Sequence, residues 1–122
     1  MSNIEKIIND AWKIKDQINP NSDKSIINAV KEMINLLNEG KITVAEPQGS
    51  DWKINEWIQK GILLSFRTNK KKVISGPYNA WNDLEHLPGE TAGWSDKEFK
   101  AAGFRAVPNC VIRNGSFIGK GA

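Results

Sequence analysis

Cysteine is almost missing from this chain. Cys110 stands alone, so no internal disulfide can form and nothing points to an oxidising compartment. Histidine is equally scarce: His86 is the only one, with no cysteine or second histidine at metal-ligand spacing, which argues against a zinc site. No apolar run approaches the roughly 18 residues of a membrane span. The opening Met1-Ser2-Asn3-Ile4-Glu5-Lys6 lacks a basic segment followed by an apolar one, so no secretory signal is visible and the cytoplasm is the expected location. Arginine is also rare. Arg67, Arg105 and Arg113 are the only guanidinium groups among 17 basic residues, so most of the small net charge of +3 reads as a lysine-rich solvated surface.

What is present suits one soluble domain with a short extension. A chain of 122 residues can bury a core without staples. Ser2 followed by Glu5 has capping-box spacing, and Ile4, Ile7, Ile8, Ala11, Ile14 and Ile18 recur at helical intervals. The pattern predicts a helix from about Asn3 to Ile18, ended by Asn19-Pro20. Ser22 or Asp23 can cap a second helix whose face carries Ile26, Val30, Met33, Ile34 and Leu37, with Gly40 placed as its C-terminal stop. Two such helices on a short connection predict an antiparallel hairpin.

The period then changes. Lys41 to Glu46 and Trp52-Lys53-Ile54 alternate around the turn cluster Pro47-Gln48-Gly49-Ser50-Asp51, predicting a small β-hairpin with Ile42, Val44, Trp52 and Ile54 on its buried face. Asn55 can cap a third helix over Glu56–Arg67, with Trp57, Ile58, Ile62 and Phe66 as its core face. Gly61 inside it costs about 1 kcal/mol against alanine, which implies close packing there. Asn69 to Lys72 reads as a polar turn and Val73-Ile74 as a short strand. Gly76 to Trp94 is punctuated by Pro77, Pro88, Gly89 and Gly93 and reads as an irregular loop with one helical turn near Asn82–Leu87. Ser95 and Glu98 form another capping box, opening a short helix through Ala102 that ends at Gly103.

From Phe104 onward the helical period is gone. Val111-Ile112 and Phe117-Ile118 are six residues apart, the spacing of a hexapeptide-repeat β-helix. Two hexads are less than one coil, and about three repeats are needed to bury a solenoid's apolar face. The expected fold class is therefore α+β: a mixed domain over 1–107, then the first rung of a parallel β-helix over 108–122, truncated at that point.

Several segments, in order, resemble the N-terminal domain of the tetrahydrodipicolinate N-succinyltransferases. They are Ile42-Thr43-Val44-Ala45-Glu46, Trp52, and Trp57 through Leu63-Leu64-Ser65-Phe66-Arg67. Phe99-Lys100-Ala101-Ala102-Gly103-Phe104-Arg105-Ala106-Val107-Pro108 and Arg113-Asn114-Gly115-Ser116-Phe117-Ile118 complete the set. The stretch Gly76–Trp94 departs from the family's pattern. The resemblance implies that the β-helix is left-handed, and it implies a homotrimer that transfers succinyl from succinyl-CoA, its co-substrate, to the amine of a ring-opened dicarboxylate, in lysine and diaminopimelate biosynthesis. It implies that the assisting acids and the CoA groove lie beyond Ala122. This chain alone is then expected to be inactive, with no catalytic residue and no cofactor or metal of its own.

Arg105 is the candidate substrate-binding residue. The resemblance aligns it with the family's carboxylate-binding arginine, and a guanidinium grips a carboxylate in a planar fork. Arg67 closes a helix, where it either complements the helix terminus or contacts substrate. Arg113, in the first hexad, is open between a structural or trimer contact and a substrate contact. Cys110 reads as a small apolar filler, His86 as a loop residue, and the helix-surface acids Asp10, Asp16, Glu32 and Glu39 as solvated. Gly119-Lys120-Gly121-Ala122 lacks the spacing of a phosphate loop. The competing reading is a non-enzymatic basic helical module using Lys70-Lys71-Lys72 to bind nucleic acid or a protein. Interspersed acids and missing aromatic–basic interleaving weigh against it, and the favoured reading has no nucleic-acid or membrane partner.

Overall fold

Apolar spacing in the first 68 residues resolves into three mutually packed helices. The computed structural model describes residues 2–89 and 91–122, with backbone only at Ser2, so the Ser2–Glu5 capping box lies outside the described residues. Helix α1 is Ser2–Lys13, α2 is Lys24–Asn38 and α3 is Glu56–Thr68, and each touches the other two. The first helix stops earlier than its apolar spacing predicts. After Lys13 the chain tightens into a 3-10 turn over Lys15–Gln17, which leaves Ile14 exposed and returns Ile18 to the core. The α2 ends match expectation: the Asp23 carboxylate accepts the Ser25 N–H, and Gly40 takes a left-handed φ of 70°. Gly40 N–H donates to Leu37 O and Lys41 N–H to Leu36 O, both at 3.0 Å, completing a Schellman motif.

The three helices meet at Gly61. A β-carbon there would collide with Met33 Sδ of α2 and lie 3.3 Å from Ile8 Cδ1 of α1. Ile8, Met33, Ile58, Leu64 and Val30 are fully buried around this point, each contributing about 1.5–3 kcal/mol relative to exposure. The face α3 buries is Ile58, Gly61, Leu64, Ser65 and Thr68. Phe66, expected inside, is 40% exposed because it lies on the flank of that stripe.

Strands β1 (Ala45–Gln48) and β2 (Asp51–Ile54) form an antiparallel hairpin, closed by Gly49-Ser50 with Gly49 at φ 62°. The register differs from the expected one. Ile42 is buried but precedes the strand, whereas Trp52 and Ile54 are 66% and 48% exposed. The tight turn, not the hydrophobic alternation, fixes the pairing, and the hairpin projects from the bundle.

A second antiparallel hairpin, β3 (Lys71–Ser75) and β4 (Ala80–Leu84), contains the expected short strand Val73-Ile74 and replaces part of the polar turn expected before it and of the irregular loop expected after it. Both strands are largely exposed, so they carry no alternation to read. The expected helical turn near Asn82–Leu87 survives only as a bend after β4, where Leu87 N–H donates to Leu84 O. Helix α4, Asp96–Ala102, has its capping box at Ser95 and Glu98 and ends at Gly103 with φ 75°. These elements make the fold α+β. Beyond α4 the described backbone holds turns and one isolated antiparallel bridge, Pro88 to Arg113, with no strand of a β-helix among the described residues of 108–122.

Candidate functional site

The segment after α4 is held by aromatic packing on one side and backbone bonds on the other. Phe104 sits 6.1 Å from Trp94 and 5.9 Å from Phe99, ring centre to ring centre, and those two are 5.2 Å apart. Burial alternates along the chain here, so Phe104 turns inward and Arg105 outward. The Arg105 N–H donates to Ala122 O at 2.9 Å, and Gly121 N–H donates to Gly103 O at 2.6 Å. The Arg105 backbone is thus clamped while its guanidinium faces solvent. Beside it lies an open depression of about 440 Å³, bordered by Phe99, Lys100, Gly103 and Gly121. Lys100 is occupied by Asp96 at 2.9 Å, and Arg105 forms no ion pair among the described residues. An exposed cation with no partner among the described residues suits an incoming carboxylate.

The other two arginines are engaged elsewhere. Arg67 donates from Nη1 to the Lys15 carbonyl at 3.0 Å and stands 3.6 Å from Asp16, so it fastens the 3-10 turn to α3. Arg113 pairs with Asp83 of β4 at 3.2 Å and ties the tail to the second hairpin. The structure therefore does not bring the three guanidinium groups to one point.

The tail is docked through small residues and amides. Asn38 Nδ2 donates to Asn114 Oδ1 at 2.5 Å, and Gly115 N–H donates to Asn38 Oδ1 at 2.6 Å. The Phe117 ring covers Gly40, where a β-carbon would sit only 2.9 Å from it. Between tail and α4 runs a groove of about 250 Å³ walled by Trp94, Phe104, Ile112 and Phe117.

His86 is more than a loop residue. Ser65 Oγ donates to Ile62 O at 2.6 Å, so it accepts from His86 Nε2–H at 3.1 Å. The proton is thereby assigned to Nε2, and Nδ1 is left buried without a partner among the described residues. Burial pushes the His86 pKa below its ordinary 6.5, and Arg113 acts in the same direction, while Asp83 and Glu85 oppose it. As a solitary histidine, His86 carries no motif that would signal this contact. Cys110, expected as a filler, is exposed. Among the described residues no group of three His, Cys, Asp or Glu side chains could hold a metal, and no helix is long and apolar enough to cross a membrane. Lys71 and Lys72 lie in β3, with Lys72 opposite Asp83, rather than in a turn.

A helical bundle that carries two hairpins and an exposed arginine with no ion-pair partner among the described residues, beside an irregular tail, is a small α+β domain. The family model described as tetrahydrodipicolinate N-succinyltransferase N-terminal matches residues 3–68, and the chain belongs to that family. Three curated relatives are 2,3,4,5-tetrahydropyridine-2,6-dicarboxylate N-succinyltransferases. The one from Pelagibacter ubique is 50% identical across all of this chain and 45% of its own length. Those from Methylorubrum populi and Paracoccus denitrificans are 43% and 40% identical over 99% of this chain, covering 43% and 45% of their own lengths. The chain thus spans somewhat under half the length of these relatives.

Proposed function

We propose that this chain is the N-terminal part of an N-succinyltransferase that moves succinyl from succinyl-CoA to the amine of ring-opened tetrahydrodipicolinate, and that Arg105 holds a carboxylate of that acceptor. The observation that carries the site reading is the Arg105 guanidinium, exposed and unpaired among the described residues while its own N–H is fixed on Ala122 O. In the reaction the amine nitrogen attacks the thioester carbonyl. A C–N bond forms, the C–S bond breaks, and the amine proton passes to the departing CoA thiolate. Holding the acceptor's carboxylate in a bidentate fork removes rotational freedom at the attacking amine before the bond forms.

In the same reading, residues 108–122 begin a hexapeptide-repeat β-helix whose later coils supply the catalytic acids and the CoA groove. The assembly is a cytoplasmic homotrimer serving lysine and diaminopimelate biosynthesis, and this chain by itself is inactive. No observation favours the non-enzymatic binding module.

The test is steady-state kinetics of the transferase carrying this chain. Arg105→Ala should raise KM for the dicarboxylate by roughly 10–100-fold, the worth of a charge-assisted pair, and leave KM for succinyl-CoA in place. Arg105→Lys should fall between. An unchanged dicarboxylate KM in Arg105→Ala removes this residue from the site.

A further inference from the structure

Arg105 does not orient itself. Its backbone is gripped by the second hexad, where Gly121 donates to Gly103 O at 2.6 Å and Ala122 O accepts from Arg105 N–H at 2.9 Å. Both bonds require Gly121 at φ 89°, a region that residues with a β-carbon rarely enter. A β-carbon at Gly121 would meet nothing within 4 Å, so the position needs glycine for its backbone angle and not for space. On the other side, Gly103 at φ 75° turns the chain out of α4, and Phe104 is locked into the Trp94–Phe99 cluster. The Arg105 backbone, from which the guanidinium projects, is therefore set by two supports, an aromatic anchor preceding it and a glycine-dependent clamp supplied from sixteen residues further along the chain.

We propose that Gly121 is a positioning residue for acceptor binding: it holds the Gly103–Arg105 segment so that the Arg105 fork meets the dicarboxylate. The proposal rests on the reading of Arg105 given above. It makes the Gly121-Ala122 stretch part of the acceptor-binding apparatus, and it makes dicarboxylate affinity depend on whether that stretch is seated.

The structure contains a matched control. Gly49, in the turn between β1 and β2, also has a left-handed φ, 62°, and a β-carbon there would likewise meet nothing within 4 Å. Gly49→Ala and Gly121→Ala make the same chemical change at a positive φ, 62° and 89°, one remote from Arg105 and one beside it. In the transferase carrying this chain, Gly121→Ala should raise the dicarboxylate KM about tenfold, in keeping with the sensitivity of positioned groups to small displacements. Its KM for succinyl-CoA should stay in place, and kcat should change less than the dicarboxylate KM. Gly49→Ala should leave all three unchanged. Gly121→Asn, which tolerates the left-handed region better, should recover most of the loss and retain about a threefold rise. The double variant Arg105→Ala/Gly121→Ala should be no weaker than Arg105→Ala alone, because both act through one contact.

If Arg105→Ala weakens the acceptor and Gly121→Ala does not, the positioning role is wrong and the Arg105 reading stands. If Arg105→Ala has no effect, the Arg105 reading fails and this proposal goes with it. Equal losses in Gly49→Ala and Gly121→Ala, or a parallel loss of succinyl-CoA affinity, would mean general destabilisation and overturn the role. Should Gly121→Ala not fold, Gly121→Asn carries the decision, and an unchanged dicarboxylate KM there overturns it.

Discussion

Residues 2–68 and 69–122 are built on different principles. Every buried hydrophobic side chain among the described residues, from Ile4 to Leu64, belongs to the first region. The second region lies on the bundle through amides, a histidine and glycines, and it carries the candidate acceptor-binding arginine. Stability thus resides in the helices, while the displayed cation sits on a part held by a few directional contacts. Regions with few buried apolar contacts are those that open most readily.

The sharpest test of that division is a pair of substitutions. Leu64→Ala should cost about 2–5 kcal/mol, by loss of burial plus a cavity at the helix junction. Trp52→Ala, which removes a larger side chain, should stay within about 0.5 kcal/mol because Trp52 is 66% exposed. Urea denaturation of both reads the difference, and comparable losses would break the comparison.

Gly61→Ala is next. Helix propensity alone would gain about 1 kcal/mol, but the new methyl group has to displace the buried Met33 thioether. Overpacking of this kind costs about 1–3 kcal/mol, so a net loss is expected on thermal melting; a net gain would show that the junction has room to adjust. Asn38→Ala tests the other region. It removes both amide contacts to Asn114 and Gly115, worth about 1–2 kcal/mol together. Hydrogen exchange should quicken at Gly115 while the bundle amides keep their protection, and uniform quickening would mean that the two regions open together.

The smallest expected effect is on pH dependence. His86 has its pKa lowered by burial, so the unfolded chain binds the proton more readily than the folded one. The stabilisation is complete above about pH 6.5 and is lost as pH falls below 6.5 through the lower folded value. Protonation would place a second donor at Nδ1, where no acceptor stands. His86→Gln should flatten the stability profile below pH 6.5, and an unaltered slope would show that the histidine does not link the regions.

The first region was largely legible because its elements are specified locally and by period. The apolar spacing of α2, the stop at Gly40 and the tight packing implied by Gly61 all have a physical counterpart in the structure. The Ser95–Glu98 box, in the second region, was readable for the same reason. Much of what was misread involved exposed pairing. Val73-Ile74 was read as a short strand, but its extension over Lys71–Ser75 and its partner Ala80–Leu84 present both faces to solvent, so no alternation marks them, and Pro77 at the turn reads as punctuation. In the first hairpin the Gly49-Ser50 turn overrode the apparent pattern and shifted the strand by several residues. Arg105 was nameable from its motif, but its clamp on Ala122 was not, because a backbone bond leaves no side-chain signature.

Pro47 has a consequence for how this molecule keeps company. Asn55 N–H donates to Val44 O, and alternation of the ladder from that pair makes Pro47 and Trp52 a pair that exchanges no bonds. The amide hydrogen that proline lacks would therefore have pointed away from β2, toward open water. Its absence leaves the hairpin intact and spoils the outer rim of β1 as a template for a stray strand. A protruding ribbon with a bare tryptophan is thus guarded against polymerising by one imino acid.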